Sequence, residues 1–332
     1  MKLGVNSYFL LRWFGFEEAL QFVQSQGVTA IEIAVDESEQ TRRFCDVDAL
    51  LADRDALHRW LDVLQSHGLA ISAFCAHGDP LSPDRDVANA YTQFFRKVCQ
   101  LAEAAKVDRI VVISGIPEGA AGEISRCWVV DSARASNRNI LRWQWEQRLV
   151  PYWQQQAKVA RDHGCLICVE PQIGELVYSP GTLMKLRQAI GPVIGCNLDP
   201  SHMFVQQIDL FEAIRFLGNA IYHVHIKDTR FDTARLKLQG ILDNTSYLRP
   251  EERSWMFTIV GWGHDQRFWE DFVTTLRFAG YEGSLSIEME SEYISVKEGL
   301  EKSIAFLKPL VLQEPPGTKW WQHAGLGTFE ED

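Results

Sequence analysis

The sequence predicts an α/β protein, specifically a (β/α)8 TIM barrel with insertions after strands 4 and 7 and a C-terminal tail. Short apolar runs alternate with helical patterns along the whole chain, which predicts a parallel sheet covered by helices. Eight such units in succession favour a closed barrel over an open sheet. The phrases QGVTAIEI, HGLAISAF and HGCLICVE also recur, and each places glycine between a helix and a strand. Glycine in this position is typical of a helix C-terminus.

The predicted elements follow one another in a regular order. The strands are apolar runs, and they are Lys2–Asn6, Thr29–Ala34, Ala70–Ala76, Arg109–Ser114, Leu166–Glu170, Val193–Asp199, Ile221–Lys227 and Ser284–Glu290. The helices show apolar residues at spacings of three and four. They are Phe16–Gln26, Asp55–His67, Ala88–Ala105, Trp145–His163, Pro180–Ile190, Leu210–Leu217, Gln266–Ala279 and Ser295–Leu307.

Two polar segments interrupt this order, Gly115–Arg142 and Thr229–Trp255. Loops that follow barrel strands lie on the face where barrel active sites are built, so these segments are expected to shape a pocket or an oligomer contact. We assign residues 1–312 to a single TIM-barrel catalytic domain and residues 313–332 to a C-terminal tail. The pair Trp320-Trp321 leaves two alternatives for the tail, unstructured or docked on the barrel or on a neighbouring subunit.

Composition excludes several classes of partner. The formal net charge of −11 argues against nucleic acid, because phosphate binding requires clustered Lys and Arg. No stretch approaches the roughly 20 apolar residues of a membrane helix. The N-terminal MKLGVNSYFL lacks a small-residue cleavage site and is more typical of a first strand than of a signal peptide. The seven cysteines lie mostly in apolar runs, so we expect reduced thiols in a cytoplasmic protein.

Four of the predicted strands deliver a metal-capable side chain at or near their C-terminal end. Glu170 ends CLICVEP, Asp199 and His202 belong to VIGCNLDPSH, His225 to IYHVHIKD and Glu288 to LSIEME. The C-terminal ends of parallel strands meet on one face, where sites are built. Two Glu, one Asp and one His form an oxygen-rich set that suits Mn²⁺, Mg²⁺ or Co²⁺ better than structural zinc. The pattern therefore predicts a metalloenzyme.

Three positions leave alternatives open. Glu290 shares a strand face with Glu288, and His223 shares one with His225. We favour Glu288 for its position in the motif, and His225 because IKD follows it. Glu32, in the second strand AIEIA, is either an ion-pair partner or a pocket residue.

At these motifs the chain resembles the xylose isomerase-like TIM barrel superfamily, in particular the sugar phosphate isomerase/epimerase family. The resemblance extends over roughly Met1 to Leu312. Its most specific parts are VEP at Glu170, NLDPSH at Asp199–His202, HVHIKD at His225–Asp228, VGWGHD at Val260–Asp265 and GYEGSLSIEME at Gly280–Glu290.

The resemblance implies a metal site and its surroundings. One divalent metal ion, with Mn²⁺ expected first and Mg²⁺ or Co²⁺ as alternatives, would be bound by Glu170, Asp199, His225 and Glu288. Substrate contacts would come from His202, Lys227 and His77. His264, in the region of the seventh βα-loop, is either a further substrate contact or a solvent-exposed residue. Resembling epimerases are often dimers or tetramers, so a homo-oligomer is expected.

The implied chemistry is proton transfer at a carbon next to a carbonyl. A divalent metal that chelates the carbonyl and a neighbouring hydroxyl oxygen would stabilise the enediolate as a Lewis acid. Two carboxylates on opposite faces would remove and return the proton, so we expect Glu170 and Glu288 to be the acid/base pair of a sugar isomerase/epimerase. No Gly-rich phosphate loop is evident, so the expected substrate is an unphosphorylated sugar or a keto-sugar.

Four other functions compete with this hypothesis. A metal-dependent lyase (eliminase/deglycosidase) acting on 3-keto-glycosides would use the same residues, and the aromatic side chains in and near the insertions would accommodate its larger substrate. Hydride transfer of the xylose isomerase type needs a second metal, for which His202 and Asp228 are the obvious spare ligands. A nuclease of the endonuclease IV type needs three metals and a basic groove. A non-catalytic sugar-binding barrel is the alternative from a different class.

Overall fold

Eight parallel strands close into a barrel in the computed structural model, which describes residues 1–11, 13–315 and 317. The described residues contain these eight strands and two others, numbered together in chain order: β1 Lys2–Asn6, β2 Ala30–Ala34, β3 Ala70–Cys75, β4 Arg109–Ile113, β5 Leu166–Glu170, β6 Ile194–Leu198, β7 Ile221–Ile226, β8 Asp228–Phe231, β9 Trp255–Thr258 and β10 Ser284–Ile287. The order around the barrel is β1-β10-β7-β6-β5-β4-β3-β2, while β8 and β9 form a separate antiparallel pair. The prediction of an α/β (β/α)8 barrel is confirmed.

The helices cover the outside of the barrel. They are α1 Ser7–Leu10, α2 Phe16–Ser25, α3 Glu39–Arg42, α4 Val47–Ala52, α5 Arg54–Ser66, α6 Arg85–Ala105, α7 Ala135–Trp143, α8 Val150–Asp162, α9 Pro180–Ile190, α10 Pro200–Val205, α11 Leu210–Leu217, α12 Thr233–Gln239, α13 Gln266–Phe278 and α14 Val296–Leu307. The longer helices follow the predicted pattern, whereas the short α1, α3, α4, α7, α10 and α12 had no sequence prediction. No helix in the described part of the chain is both long and apolar enough to cross a membrane.

Strand alternation decides which side chains face the interior of the barrel. In β2, Ile31 and Ile33 pack in the main core between sheet and helices, and both are fully buried. Glu32 lies between them and therefore points to the opposite face, into the barrel. In β4, Val111 likewise belongs to a small separate cluster that includes Cys168, whereas its neighbours pack in the main core. Polar residues at these inward positions can therefore reach the centre.

The insertion after β4 is anchored by buried polar contacts. A π-helical segment, Gln144–Leu149, joins α7 to α8, and the predicted helix Trp145–His163 begins within this segment. The side-chain Nε2 of Gln144 donates hydrogen bonds to the carbonyl oxygens of Glu118 (3.1 Å) and Cys127 (2.7 Å). The buried Glu118 carboxylate pairs with Arg85 at 2.8 Å and with Arg148. These contacts tie the insertion to α6 and to the helical layer.

Glu175 is a buried carboxyl group between this insertion and β4. The hydroxyl of Ser114 donates to its Oε2 at 3.4 Å, and the indole of Trp128 donates to its backbone carbonyl at 3.1 Å. Burial, with a smaller contribution from the Asp79 carboxylate, raises the pKa of Glu175 from 4.5 to about 7. The folded protein therefore holds a proton on Glu175 at mildly acidic pH.

The insertion after β7 contains the β8–β9 hairpin and α12, with Asp228 at its base. Most of the C-terminal tail assigned to residues 313–332, including Trp320 and Trp321, lies outside the described residues. The assignment of residues 1–312 to one catalytic domain stays a prediction.

Candidate metal centre

Glu170, Asp199, His225 and Glu288 lie together at the C-terminal end of the barrel. Glu170 is the last residue of β5, Asp199 and Glu288 directly follow β6 and β10, and His225 is the penultimate residue of β7. One ligand-capable atom of each residue lies within 4.8 Å of the others. The first three side chains are fully buried, and that of Glu288 is 10% exposed. The fold thus brings together the four residues in which the sequence predicts a metal site.

Local structure directs the Asp199 carboxylate. Asp199 is the N-cap of α10, and its Oδ1 accepts a hydrogen bond from the backbone N–H of Ser201 at 2.8 Å. Its Oδ2 is buried and has no hydrogen bond within the described residues. The helix cap therefore uses one oxygen and leaves the other directed at the site.

His225 supplies a second atom without a hydrogen bond, and this atom faces the same place as Oδ2 of Asp199. Its Nδ1 lies 2.9 Å from Oε2 of Glu170 and 3.7 Å from Oε2 of Glu288. Despite the short distance to Glu170, Nδ1 has no hydrogen-bond partner among the described residues. Buried polar atoms are normally satisfied, so two unsatisfied atoms facing one point fit a bound ion. Three carboxylates and one imidazole are donors for a divalent cation. The residues present therefore fit a metal ion.

Glu32 holds His225 from the other side. The Nε2 atom of His225 lies 2.9 and 3.0 Å from the two carboxylate oxygens of Glu32, and the hydroxyl of Ser286 donates to Oε2 of Glu32 at 2.5 Å. Because a carboxylate only accepts, Nε2 carries the proton and Nδ1 is left free to bind a cation. Burial would raise the pKa of Glu32, but the His225 and His223 imidazoles and these hydrogen bonds lower it to about 2.

A second chain of hydrogen bonds supports Glu170. The side-chain Nδ2 of Asn197 donates to Oε2 of Glu170 at 2.6 Å. Nδ1 of His223 donates to Oδ1 of Asn197 at 2.9 Å, and its Nε2 lies 3.4 Å from the hydroxyl of Ser72. His223 thus supports Glu170 through Asn197, whereas His225 belongs to the four-residue set. Glu32, His223 and His225 form another close group, but its facing atoms already have partners.

His202 and Lys227 border the candidate metal centre. Nε2 of His202 lies 3.3 Å from Oε1 of Glu170 and 3.5 Å from Oδ2 of Asp199. Nζ of Lys227 lies 3.1 Å from Oδ2 of Asp199, 2.5 Å from Oε2 of Glu288 and 2.9 Å from Glu290. Burial would lower the pKa of Lys227, but these carboxylates raise it well above its ordinary value. Lys227 therefore carries a positive charge among the carboxylates.

His264 lies apart from the site residues. Its Nδ1 is 2.7 Å from Oδ1 of Asp228, and its ring stacks on Phe204 with centroids 3.9 Å apart. The other oxygen of Asp228 accepts the backbone N–H groups of residues 261, 263 and 264. A Cβ at Gly263 would lie 2.1 Å from the carbonyl oxygen of Thr229, so this tight turn requires glycine. Asp228 and His264 thus hold the loop after β9.

The candidate metal centre opens into a cavity with two adjoining lobes. We call the first the small lobe; its volume is about 250 Å³, and Glu170, His202, Lys227 and Phe257 line it. The large lobe has a volume of about 970 Å³ and extends along the ends of β1, β2 and β3 and the loop after β10. Three residues line both lobes, and they are His77, Glu288 and Glu290. His264 is not among the residues that line either lobe in the described structure.

Asn197 and Phe257 have no site role in the sequence prediction, which leaves two alternatives open for Glu32. Asn197 and Phe257 contact the predicted site residues directly, and Glu32 proves to be the ion-pair partner of His225. The available signal for Glu32 and Asn197 was a polar residue inside an otherwise apolar strand. Phe257 has no comparable signal, because it reaches the site through the hairpin of the insertion.

The fold and the four-residue site define a TIM-barrel protein with a candidate metal site of three carboxylates and one histidine. The chain belongs to the xylose isomerase-like TIM barrel family, whose sequence profile matches residues 20–310. The uncharacterized protein YfiH of Bacillus subtilis (strain 168) is 31% identical over 301 residues, which cover 90% of this chain and 96% of that protein.

Solved structures share the fold at much lower identity. The probable 3-DHS dehydratase AsbF from Bacillus anthracis is 16% identical, with 93% of this chain and 99% of that chain covered and a TM-score of 0.66. The 3-keto-D-glucoside 4-epimerase YcjR from E. coli is 15% identical, with 93% and 99% covered and a TM-score of 0.62. The IolI protein, with a bound zinc atom, is 16% identical, with 94% and 98% covered and a TM-score of 0.64. At these identities the likeness shows the fold alone.

Proposed function

We propose that this protein is a divalent-metal-dependent sugar isomerase or epimerase that moves a proton at a carbon next to a carbonyl group. The observation that carries the proposal is the position of Glu170 and Glu288. Both line the small lobe, and strands β6 and β7 separate their strands in the barrel. The two carboxylates therefore approach one small volume from different directions, as removal and return of a proton on opposite faces of a substrate requires.

Glu170, Asp199, His225 and Glu288 would hold the metal ion. When bound, it supplies Lewis-acid stabilisation of negative charge on the substrate oxygens. An oxygen-rich set with one imidazole supports Mn²⁺ as the ion, and Mg²⁺ or Co²⁺ would also suit it. Asn197 and Glu32 keep Glu170 and His225 in position through the hydrogen bonds described above.

The proton is handled by the glutamate pair. One carboxylate accepts the proton from the substrate carbon, and the other donates a proton to the opposite face, which inverts that centre. Nε2 of His202 lies beside Glu170 and Asp199, and we expect it to donate a hydrogen bond to a substrate oxygen. The Lys227 ammonium balances the carboxylates and adds further donors. The centroid of the Phe257 ring lies 4.5 Å from Nζ of Lys227 and 5.3 Å from the centroid of the His202 ring, so Phe257 covers this side of the small lobe.

Three further properties complete the proposal. The substrate is an unphosphorylated sugar or keto-sugar, since the small lobe holds three carboxylates against one ammonium group and the sequence has no evident Gly-rich phosphate loop. A cytoplasmic location is supported by the seven cysteines, which are all free. A homo-oligomer is proposed from the resemblance to epimerases, and size-exclusion chromatography with light scattering tests it.

The decisive experiment is proton exchange in deuterated water. Metal-loaded protein is incubated with a panel of ketoses and 3-keto-glycosides, and deuterium incorporation at carbon is followed by NMR. We expect Glu170→Gln and Glu288→Gln to lose exchange by at least about 100-fold, whereas Glu298→Gln, on the exposed face of α14, keeps it. Metal content is measured for each variant, so that loss of the ion and loss of the base are distinguished. Unchanged exchange in both glutamate variants contradicts the proposal.

A metal-dependent lyase acting on 3-keto-glycosides is the second candidate. The large lobe favours it, because it provides space beyond the small lobe for a leaving group. Epimerisation conserves the mass of the substrate, whereas elimination releases the aglycone, so mass spectrometry of the products separates the two reactions. Hydride transfer through a second metal is less well supported, because the oxygens of Asp228 already accept hydrogen bonds from the loop after β9.

A further inference from the structure

The two lobes differ in size in a way that bears on the substrate. The small lobe, at about 250 Å³, is below the roughly 300 to 1,000 Å³ that is usual for ligand cavities. It suits a compact group such as one sugar ring. The large lobe, at about 970 Å³, by itself reaches the upper end of that range. A substrate that filled only the small lobe would leave the larger part of the site without a role.

The lining of the large lobe is suited to a neutral polyhydroxylated group. Tyr8, Phe9 and Trp13 contribute aromatic side chains to the lining, and Trp13 is 65% exposed. Asp79 and Arg126, which form an ion pair, supply polar groups from the loops after β3 and β4. Aromatic faces pack against the C–H faces of sugar rings, while an ion pair offers both acceptors and donors to hydroxyl groups.

Two residues that line the same lobe carry polar atoms without a hydrogen-bond partner among the described residues. Nε2 of His77 and Oγ of Ser291 are buried and have no hydrogen-bond partner among the described residues. Buried polar groups are normally satisfied, so a ligand with donors and acceptors would provide the missing partners if these two side chains turn towards the lobe. His77 also lines the small lobe, which places one of the two atoms at the boundary between the lobes.

We propose that the substrate is a keto-sugar that carries a second ring, either a disaccharide or a glycoside. Its reacting ring occupies the small lobe against Glu170 and Glu288, and its second ring occupies the large lobe against Trp13. The bond that joins the rings passes between His77 and Glu288, which line both lobes. This inference rests on the proposed function and specifies its substrate class.

The test compares binding of one ring with binding of two. Isothermal titration calorimetry of the metal-loaded protein is carried out with D-fructose and with disaccharides that end in a reducing fructose. We expect the best disaccharide to bind at least about tenfold more tightly than fructose. In Trp13→Ala the ratio of disaccharide to fructose affinity should fall about tenfold, and Trp13→Phe should restore most of it. Trp262→Ala, an exposed tryptophan that lines neither lobe, should leave the ratio unchanged.

The outcomes separate this inference from the proposed function. Equal affinity for fructose and for every disaccharide, or an unchanged ratio in Trp13→Ala, would overturn the inference even if fructose exchanges its proton. Selective binding of a disaccharide through Trp13 would support it even if no substrate exchanges a proton, since calorimetry requires no turnover. In that case the proposed isomerase or epimerase activity alone would fail.

Discussion

Glu32 offers the sharpest test of how the candidate metal centre is organised, because it acts on the site without touching the proposed substrate. Its carboxylate accepts from His225 at 2.9 and 3.0 Å and is fully buried. Glu32→Gln keeps the size of the side chain and one accepting oxygen but removes the negative charge. His225 then loses a charge-assisted hydrogen bond and retains a neutral one.

The magnitude follows from the two kinds of hydrogen bond. A hydrogen bond to a charged group contributes about 1.5 to 3 kcal/mol, and a neutral one contributes about 0.5 to 1.5 kcal/mol. The midpoints of these ranges differ by about 1.3 kcal/mol, which corresponds to about tenfold weaker metal binding. This value lies at the lower end of the roughly 10- to 100-fold loss that is typical when a group supporting a metal ligand is replaced. Competition with a fluorescent chelator for Mn²⁺ measures it.

A matched control separates the effect of the Glu32 charge on metal binding from the effect of the hydrogen bonds around Glu32. Ser286→Ala removes the 2.5 Å hydrogen bond to Glu32 but leaves the carboxylate beside His225, so Mn²⁺ binding should weaken by about threefold or less. Circular dichroism must show that both variants remain folded. If folded Glu32→Gln binds Mn²⁺ with wild-type affinity, the reasoning that Glu32 prepares His225 for the metal is refuted.

Three further predictions concern stability, measured by urea unfolding. Folding raises the pKa of Glu175 from 4.5 to about 7, so between these pH values the folded protein keeps a proton that the unfolded chain has released. The free energy of unfolding should therefore fall by about 3 kcal/mol as the pH rises from 4.5 through 7. Glu175→Gln should abolish this fall, and an unchanged pH profile would contradict it. Glu118→Ala leaves Arg148 buried without its partner and should cost about 3 kcal/mol, whereas the exposed Glu212→Ala should cost less than about 1 kcal/mol. Gly263→Ala should destabilise the loop after β9 by about 2 kcal/mol or more, because its Cβ meets the Thr229 carbonyl; wild-type stability would show that the loop adjusts.

The elements of the barrel are readable from the sequence because their signals are local. Apolar runs such as Leu166–Glu170 coincide with strands of the structure, and helices such as Pro180–Ile190 and Leu210–Leu217 have their predicted bounds. The candidate metal ligands were also predictable, since in a parallel barrel a residue at the end of a strand must lie on the C-terminal face. That rule brings Glu170 and Asp199 together without further information.

Only the tertiary structure decided how these residues are supported and what surrounds them. His225 and Glu32 are 193 positions apart in the chain, and their contact depends on the inward direction that β2 and β7 share in the closed barrel. Phe257 reaches the site on a hairpin whose path no local pattern encodes, and Trp13 lines the large lobe from the segment that follows α1. The sequence alone determined the barrel and its metal-capable strand ends, because periodicity and strand polarity are local properties. The pairing of ligands with supporting groups and the shape of the cavity depend on contacts between distant segments, which exist only once the chain has closed on itself.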